Sequence, residues 1–234
     1  MRYDILGFLY PKKCIVCHKI LSSGKNPMCG ECQRKLAVIT EPRCKRCSKT
    51  IPHMEMEFCE DCSKRTFLVE KGFALYPYDK NMKKAIRNFK YEGELSGGMY
   101  FAGKLVEYYG AWIRGIAPDA ILPVPIHKNR RRFRGFNQAE YVAEIVGREL
   151  GIAVPVGYLL RTEDTLPQKK LDVKGRINNL RKGFAVQENR APYETVLLVD
   201  DIYTTGATLE ACAMVLKEAG TRRIYFLCLC IGMQ

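Results

Sequence analysis

Eight cysteines fall into four Cys-x-x-Cys pairs: Cys14/Cys17, Cys29/Cys32, Cys44/Cys47 and Cys59/Cys62, each pair starting fifteen residues after the one before. One such turn presents two thiolates to an ion, and two turns complete a tetrahedral shell. Four turns therefore predict two zinc ions. Sequential pairing joins Cys14, Cys17, Cys29 and Cys32, then Cys44, Cys47, Cys59 and Cys62. A cross-braced arrangement, first pair with third and second with fourth, uses the same residues. The constant spacing looks like a duplicated local unit and favours the sequential scheme. The intervening segments are rich in charge, Gly, Pro and Ser and cannot build a sufficient core, so bound metal is expected to supply the folding free energy. A disulfide framework is not expected. The start of the chain has too short an apolar run for an export signal and an acid at Asp4, so a cytoplasmic protein is the expectation. No site lacks a ligand, so His18 and His53 read as surface. Cys212, Cys228 and Cys230 lie in apolar patterns and read as small buried hydrophobes.

A second constellation is Val196-Leu197-Leu198-Val199-Asp200-Asp201-Ile202-Tyr203-Thr204-Thr205-Gly206-Ala207-Thr208. An apolar strand delivers two acids to its carboxyl end, a Thr/Gly turn follows, and then a helix. Backbone N–H groups at a helix start bind phosphate, Thr hydroxyls add donors, and Gly206 lets the backbone approach closely. Carboxylates accept hydrogen bonds from vicinal hydroxyls. Acids beside a phosphate cradle suggest a ribose 5-phosphate. The turn lacks the Lys-Ser/Thr ending of a Walker A loop.

The chain is basic, with 38 Lys+Arg against 25 Asp+Glu, a net +13. That points to an anionic partner. The segment 127–134 carries five cations (Lys128, Arg130, Arg131, Arg132 and Arg134) and no acid, and residues 161–182 are also net positive. Both read as basic loops near the cradle. A few converging cations suit pyrophosphate or a nucleotide, whereas a longer stripe suits a nucleic-acid backbone with salt-dependent affinity. Phe133, Phe136 and Tyr203 are candidates to stack on bases, although Phe136 equally suits a core.

These residues need a scaffold. Strands are expected at 73–78, 119–124, 154–160, 196–199 and 223–231. Helices are expected at 81–91, 99–113, 137–150 (ended by Gly151), 173–181 and 208–219 (ended by Gly220). The alternation indicates an α/β domain with a parallel sheet, whose ligands bind beyond the strands' carboxyl ends. The composition divides the chain into a zinc-ribbon unit, 1–66, and an α/β unit, 67–234. No apolar run is long enough to span a membrane.

The motif at 196–208 closely resembles the phosphoribosyl-pyrophosphate (PRPP) motif of type I phosphoribosyltransferases. That resemblance implies that Asp200 and Asp201 hold ribose hydroxyls and that Thr204, Thr205, Gly206, Ala207 and Thr208 hold the 5-phosphate. Pro123-Val124-Pro125-Ile126-His127, Arg134-Gly135-Phe136-Asn137-Gln138-Ala139, then Gln168, Arg176, Asn178 and Phe184, with Lys90 before Gly93 and Glu94 and a cysteine-rich ribbon ahead of them, resemble the ComF family. The resemblance covers essentially the whole chain, and members differ in how many cysteines they keep. It implies a type I phosphoribosyltransferase-like fold behind a small zinc-ribbon domain, with a hood from about residues 67–115. It also implies PRPP or a nucleotide bound with Mg2+, with Lys128, Arg130, Arg131 and Arg134 near the pyrophosphate and 162–175 as a mobile loop. The further implications are a part in single-stranded DNA uptake during natural transformation and partners among competence helicase and DNA-processing proteins. An active phosphoribosyltransferase of unidentified acceptor is the alternative. Ammonia-generating activity is disfavoured, because Cys14, the first cysteine, is assigned to zinc.

Overall fold

The computed structural model describes residues 12–21, 26–91, 95–163 and 173–232. Its centre is a four-stranded, all-parallel sheet of β1 (Lys71–Pro77), β2 (Ala120–Pro123), β5 (Thr195–Tyr203) and β6 (Arg223–Ile231), in the order β1-β6-β5-β2. β5 and β6 pair from Thr195↔Arg223 to Tyr203↔Ile231, and Pro123 of β2 sits opposite Val199. The central strands are continuously apolar because both faces are covered. Leu197, Val199 and Leu227 face one layer, while Val196, Leu198, Ile224 and Phe226 face the other.

The first layer holds α3 (Lys80–Tyr91), α4 (Leu95–Ile116) and α6 (Gln138–Leu150), through Met82, Ile86, Phe89, Phe101, Leu105, Val142 and Val146. The second holds α8 (Ala207–Glu218) through Leu209, Cys212, Ala213 and Leu216, together with a two-stranded antiparallel hairpin, β3 (Leu159–Arg161) with β4 (Phe184–Val186), and α7 (Val173–Arg181). Two short helices, α1 (Gly30–Lys35) and α2 (Glu60–Ser63), belong to the ribbons, and α5 (Lys128–Arg134) follows β2.

The two ribbons straddle the sheet. Cys14, Ile15, Val16, Met28 and Cys32 join the α3/α4 layer, whereas Cys44, Cys47, Ile51, Cys59 and Cys62 join the α8 layer. Each ribbon thus shares a core with the α/β unit. The first seam is closed by buried Asn88, whose Nδ2 donates to the carbonyls of Ile15 (3.0 Å) and Val16 (3.2 Å).

Several expectations change. The basic segment 127–134 is a helix, not a loop: the His127 side chain accepts from the Asn129 N–H at one end, and Gly135 (φ 82) ends it in the left-handed region. The strand expected at 154–160 shrinks to Leu159–Arg161, because Pro155 and Gly157 (φ 84) interrupt it. α4 starts at Leu95 rather than 99, since Gly97 and Gly98 sit inside the helix against Ile15 and Phe89. β5 runs on to Tyr203, so the two acids lie within the strand. The segment 162–175 falls mostly outside the described residues, as do Gly93, Glu94 and Gln168 and the side chains of Arg176 and Asn178.

Candidate functional site

The cysteines group sequentially. In each of the sets Cys14/Cys17/Cys29/Cys32 and Cys44/Cys47/Cys59/Cys62 the ligand atoms lie within 4.8 Å of one another. The Cys17 and Cys29 sulfurs are 3.7 Å apart, and those of Cys47 and Cys59 are 3.6 Å apart. Four sulfurs about 2.3 Å from a central zinc would be separated by about 3.8 Å. No cysteine is in a disulfide, so both sets fit a tetrahedral ion.

The repeat unit is the whole ribbon. Lys13↔Ile20 and Arg43↔Thr50 are matching bridges, and His18 and Ser48 both take φ 61. Cys29 and Cys59 both cap short helices, and Lys19–Glu31 matches Lys49–Asp61 as an ion pair. The first Cys-x-x-Cys of each ribbon is a turn and the second opens a helix. His53 is exposed and His18 half-buried.

The two centres differ in burial. Cys17 is exposed and Cys29 half-exposed, whereas all four ligands of the second centre are buried. Zinc release to a chelator, followed by a colorimetric indicator, is therefore expected in two phases. The first equivalent leaves at least about tenfold faster, since solvent reaches only that centre without local unfolding. A single phase releasing both equivalents would contradict this.

At the carboxyl end of β5 the structure gathers the second constellation. Successive strand residues leave opposite faces. Asp201 turns to the α3 layer and forms an ion pair with Lys90, both side chains largely buried. Asp200 is half-buried, and its Oδ1 accepts the Asp201 N–H at 2.8 Å. Burial, and next the neighbouring Asp201 charge, push the Asp200 carboxyl up to about 8, with Lys90 and Arg161 pulling the other way. Stability from the protonated form is thus fully present below about pH 4 and lost as pH rises through about 8. Asp200→Asn is expected to flatten that slope, unfolding at a higher temperature than wild type at pH 9 and at the same temperature at pH 3.5. Thermal unfolding at the two pH values checks it, and an equal gain at both would exclude Asp200 as the source.

Beyond Tyr203 the chain turns through exposed Thr204 and half-buried Thr205 into α8. Gly206 takes φ 76, and the Thr205 hydroxyl accepts the Ala207 N–H at 3.4 Å. Tyr203 is buried and stacks on Phe226 with ring centres 5.1 Å apart. It supports the turn from beneath and is not available to stack on a base, which corrects that expectation. Phe136 packs in the core against Phe89 and Tyr141.

α5 follows the carboxyl end of β2, so the basic segment does lie at the same edge of the sheet. Buried Asn137 ties it there, donating to the Val124 carbonyl (3.0 Å) and accepting from the Ala139 N–H at the start of α6. Lys128 is exposed and Arg130 half-buried. Arg131 is held bidentately by Glu140 (2.8 and 2.9 Å). Arg134 donates to Gln138 and to the Tyr91 hydroxyl, 5.2 Å over that ring.

Two features escaped the sequence reading. Lys90 carries the ion pair to Asp201, and its only signal was its place in the family pattern. The other is a third basic surface. Lys80, Lys83, Lys84 and Arg87 are exposed along one face of α3, which contains no acid. The stripe runs on to exposed Tyr91, whose ring meets Phe133 edge-on at 6.0 Å, and Phe133 is 81% exposed. The positive charge is therefore not confined to two segments.

Residues 5–63 match the double zinc ribbon domain family. Competence protein F of Haemophilus influenzae is 38% identical over 109 residues, covering 46% of this chain and 48% of that protein. Competence protein ComFC of Bacillus subtilis is 28% identical over 159 residues, covering 66% and 61%. The chain is thus similar to Competence protein F and ComFC, in line with the resemblance to the ComF family. DNA utilization protein YhgH of Escherichia coli (strain K12) is also similar to this chain, at 32% identity over 113 residues, or 48% and 49% of the two chains. The matched segment thus spans about half the length of most of these curated relatives. Among solved structures, a purine phosphoribosyltransferase from Pyrococcus horikoshii is similar at 14% identity, covering 58% of this chain and 84% of that one, with a TM-score of 0.36. At that score the likeness assigns no residue a role. Among the described residues no helix is long and apolar enough to cross a membrane.

Proposed function

We propose that this protein is a member of the ComF family that binds PRPP or a related nucleotide with Mg2+ at the end of β5, and serves single-stranded DNA uptake in natural transformation. The observation that carries the first half is the joining of an acidic pair, a left-handed glycine turn and a helix start at one strand end. Asp200 and Asp201 take the ribose hydroxyls. The amides and hydroxyls of Thr204, Thr205, Gly206, Ala207 and Thr208 take the 5-phosphate, whose charge suits a helix N-terminus. Lys128 and Arg130 face the pyrophosphate, and Arg131 and Arg134 reach it by exchanging their present partners. Mg2+ bound with PRPP neutralises the pyrophosphate and takes few ligands from the protein.

The DNA half is supported by the relatives named for competence and DNA utilization and by the stripe from Lys80 to Phe133. Cations there track a backbone, and Tyr91 and Phe133 offer faces for bases. Competence helicase and DNA-processing proteins are the proposed partners, in the cytoplasm. The domain boundary near residue 66 and the hood from 67–115 are part of the same proposal. A second reading, an active phosphoribosyltransferase, is favoured by the intact acid pair. In it an acceptor nucleophile bonds to C1 of the ribose as the C1–O bond to pyrophosphate breaks, without direct DNA binding.

Calorimetry with PRPP and Mg2+ tests the first half. Asp200→Ala/Asp201→Ala is expected to lose about 100-fold in affinity, as two carboxyl hydrogen bonds are removed, one of them to the ion-paired Asp201; unchanged binding rejects the site. Anisotropy of a labelled single strand tests the second. Lys83→Glu/Lys84→Glu/Arg87→Glu is expected to weaken binding by more than about tenfold and flatten its salt dependence. If wild type does not bind the strand and consumes PRPP with an acceptor, the second reading holds instead.

A further inference from the structure

The second metal ribbon does more than pack beside the phosphate turn: it holds the turn at both ends. Arg65 lies just past Cys62, the last ligand of that centre. Its Nη2 donates to the Thr205 carbonyl at 3.0 Å, and its Nε donates to the Asp61 carbonyl at 3.4 Å. Its guanidinium lies 4.7 Å from the Phe67 ring centre. Arg46, between Cys44 and Cys47, lies 5.2 Å from the same ring and donates to the carbonyls of Cys62 (3.3 Å) and Arg65 (3.5 Å). The chain leaving the ribbon then reaches α8. The N–H groups of Leu68 and Val69 donate to the Glu210 carboxylate at 2.9 and 3.2 Å. Glu210 is 6% exposed in the first turn of that helix. Tyr203, beneath the turn, shares a buried cluster with the four ligand cysteines.

We infer that Arg65 is a positioning residue for the sugar-phosphate site, through which the second metal ribbon, with Glu210 as its other attachment, fixes the turn 203–210. The shape of the phosphate cradle then depends on the ribbon's fold. Among the described residues the buried Arg65 Nη1 has no hydrogen-bond partner. That costs stability, as expected of a group kept for where it puts its neighbour. By this reach the ribbon forms an outer wall of the proposed site.

The inference rests on the sugar-phosphate reading for its functional consequence, while its positional part is measured without ligand. Amide hydrogen exchange of the zinc-loaded full chain is compared for wild type, Arg65→Ala, Arg65→Lys and Glu210→Gln. Arg65→Ala is expected to keep two zinc ions and the protection of β6, to exchange about tenfold faster at 204–208, and to bind PRPP about tenfold more weakly. Arg65→Lys keeps one donor and is expected to recover part of both effects. Unchanged exchange at 204–208 overturns the inference, as does an equal rise across the sheet, which marks a merely structural role. If Arg65→Ala does not fold, Glu210→Gln carries the same readout, because it leaves the ribbon's own contacts in place. If the exchange responds while wild type fails to bind PRPP, the sugar-phosphate reading falls and the positional inference stands.

Discussion

Cys47→Ser is expected to abolish the folded state at 37 °C, whereas Cys17→Ser leaves a folded protein that holds one zinc ion. Both substitutions remove one of four ligands. Structural zinc contributes about 10 kcal/mol or more in small metal domains, which rivals the whole stability of an ordinary domain. The difference lies in what else each cysteine supports. Cys47 is 1% exposed, in the cluster that includes Tyr203, Leu209, Phe226 and Cys228, so losing its centre opens one face of the sheet. Cys17 is exposed at the rim of the first centre and belongs to neither buried cluster, so its replacement leaves Cys14, Ile15, Val16 and Cys32 packed against α3 and α4. Zinc content per chain and thermal unfolding read both outcomes. A Cys47→Ser protein that melts within a few degrees of wild type would show that the second ribbon is not part of the core.

The second large effect is expected at Gly206. A Cβ there would lie 2.8 Å from Cζ of Tyr203 and closer still to its hydroxyl. Tyr203 cannot retreat, because it is stacked on Phe226 beneath the turn. Gly206→Ala therefore adds an overpacking cost of about 1–3 kcal/mol to the roughly 1–2 kcal/mol of a left-handed alanine. Melting is expected to fall by about 2–4 °C per kcal/mol in a chain of this size, and PRPP affinity by at least about tenfold as the turn opens. Gly135→Ala is the control. It has a similar φ of 82 but no atom within 4 Å of the added Cβ, so only the conformational cost remains. Equal losses for the two variants would show that the contact with Tyr203 is unimportant.

Part of this design is legible in the residues. The metal ligands follow from spacing alone, because a Cys-x-x-Cys turn is a local object and needs no tertiary contact to present two thiolates. The boundaries of α7 and β6 agree with their apolar patterns, and Gly151 ends α6 as expected. Errors occur where a distant part of the chain overrides a local signal. The helix expected from 99 begins at Leu95, and Gly98 lies inside it because the rings of Phe89 and Tyr141 take the room a side chain would need. Tyr203 reads as a stacking candidate from its neighbours in sequence, yet it is buried by Phe226 of an adjacent strand. The segment 127–134 reads as a loop on charge, yet a cap at each end makes it a helix.

The sequence by itself determined the chemistry available: eight thiolates in two ribbons, an acidic pair before a Thr/Gly turn, and an excess of cations. Only the tertiary structure decided how these meet. Sequential pairing is set by which sulfurs lie within 4.8 Å. The partner of Asp201 is set by α3 folding over the sheet to bring Lys90 to it, and the grip on Thr205 by the second ribbon docking beside α8. Spacing along a chain encodes contacts within a turn or a strand. Contacts between units depend on which apolar faces are buried together, and no short motif carries that information.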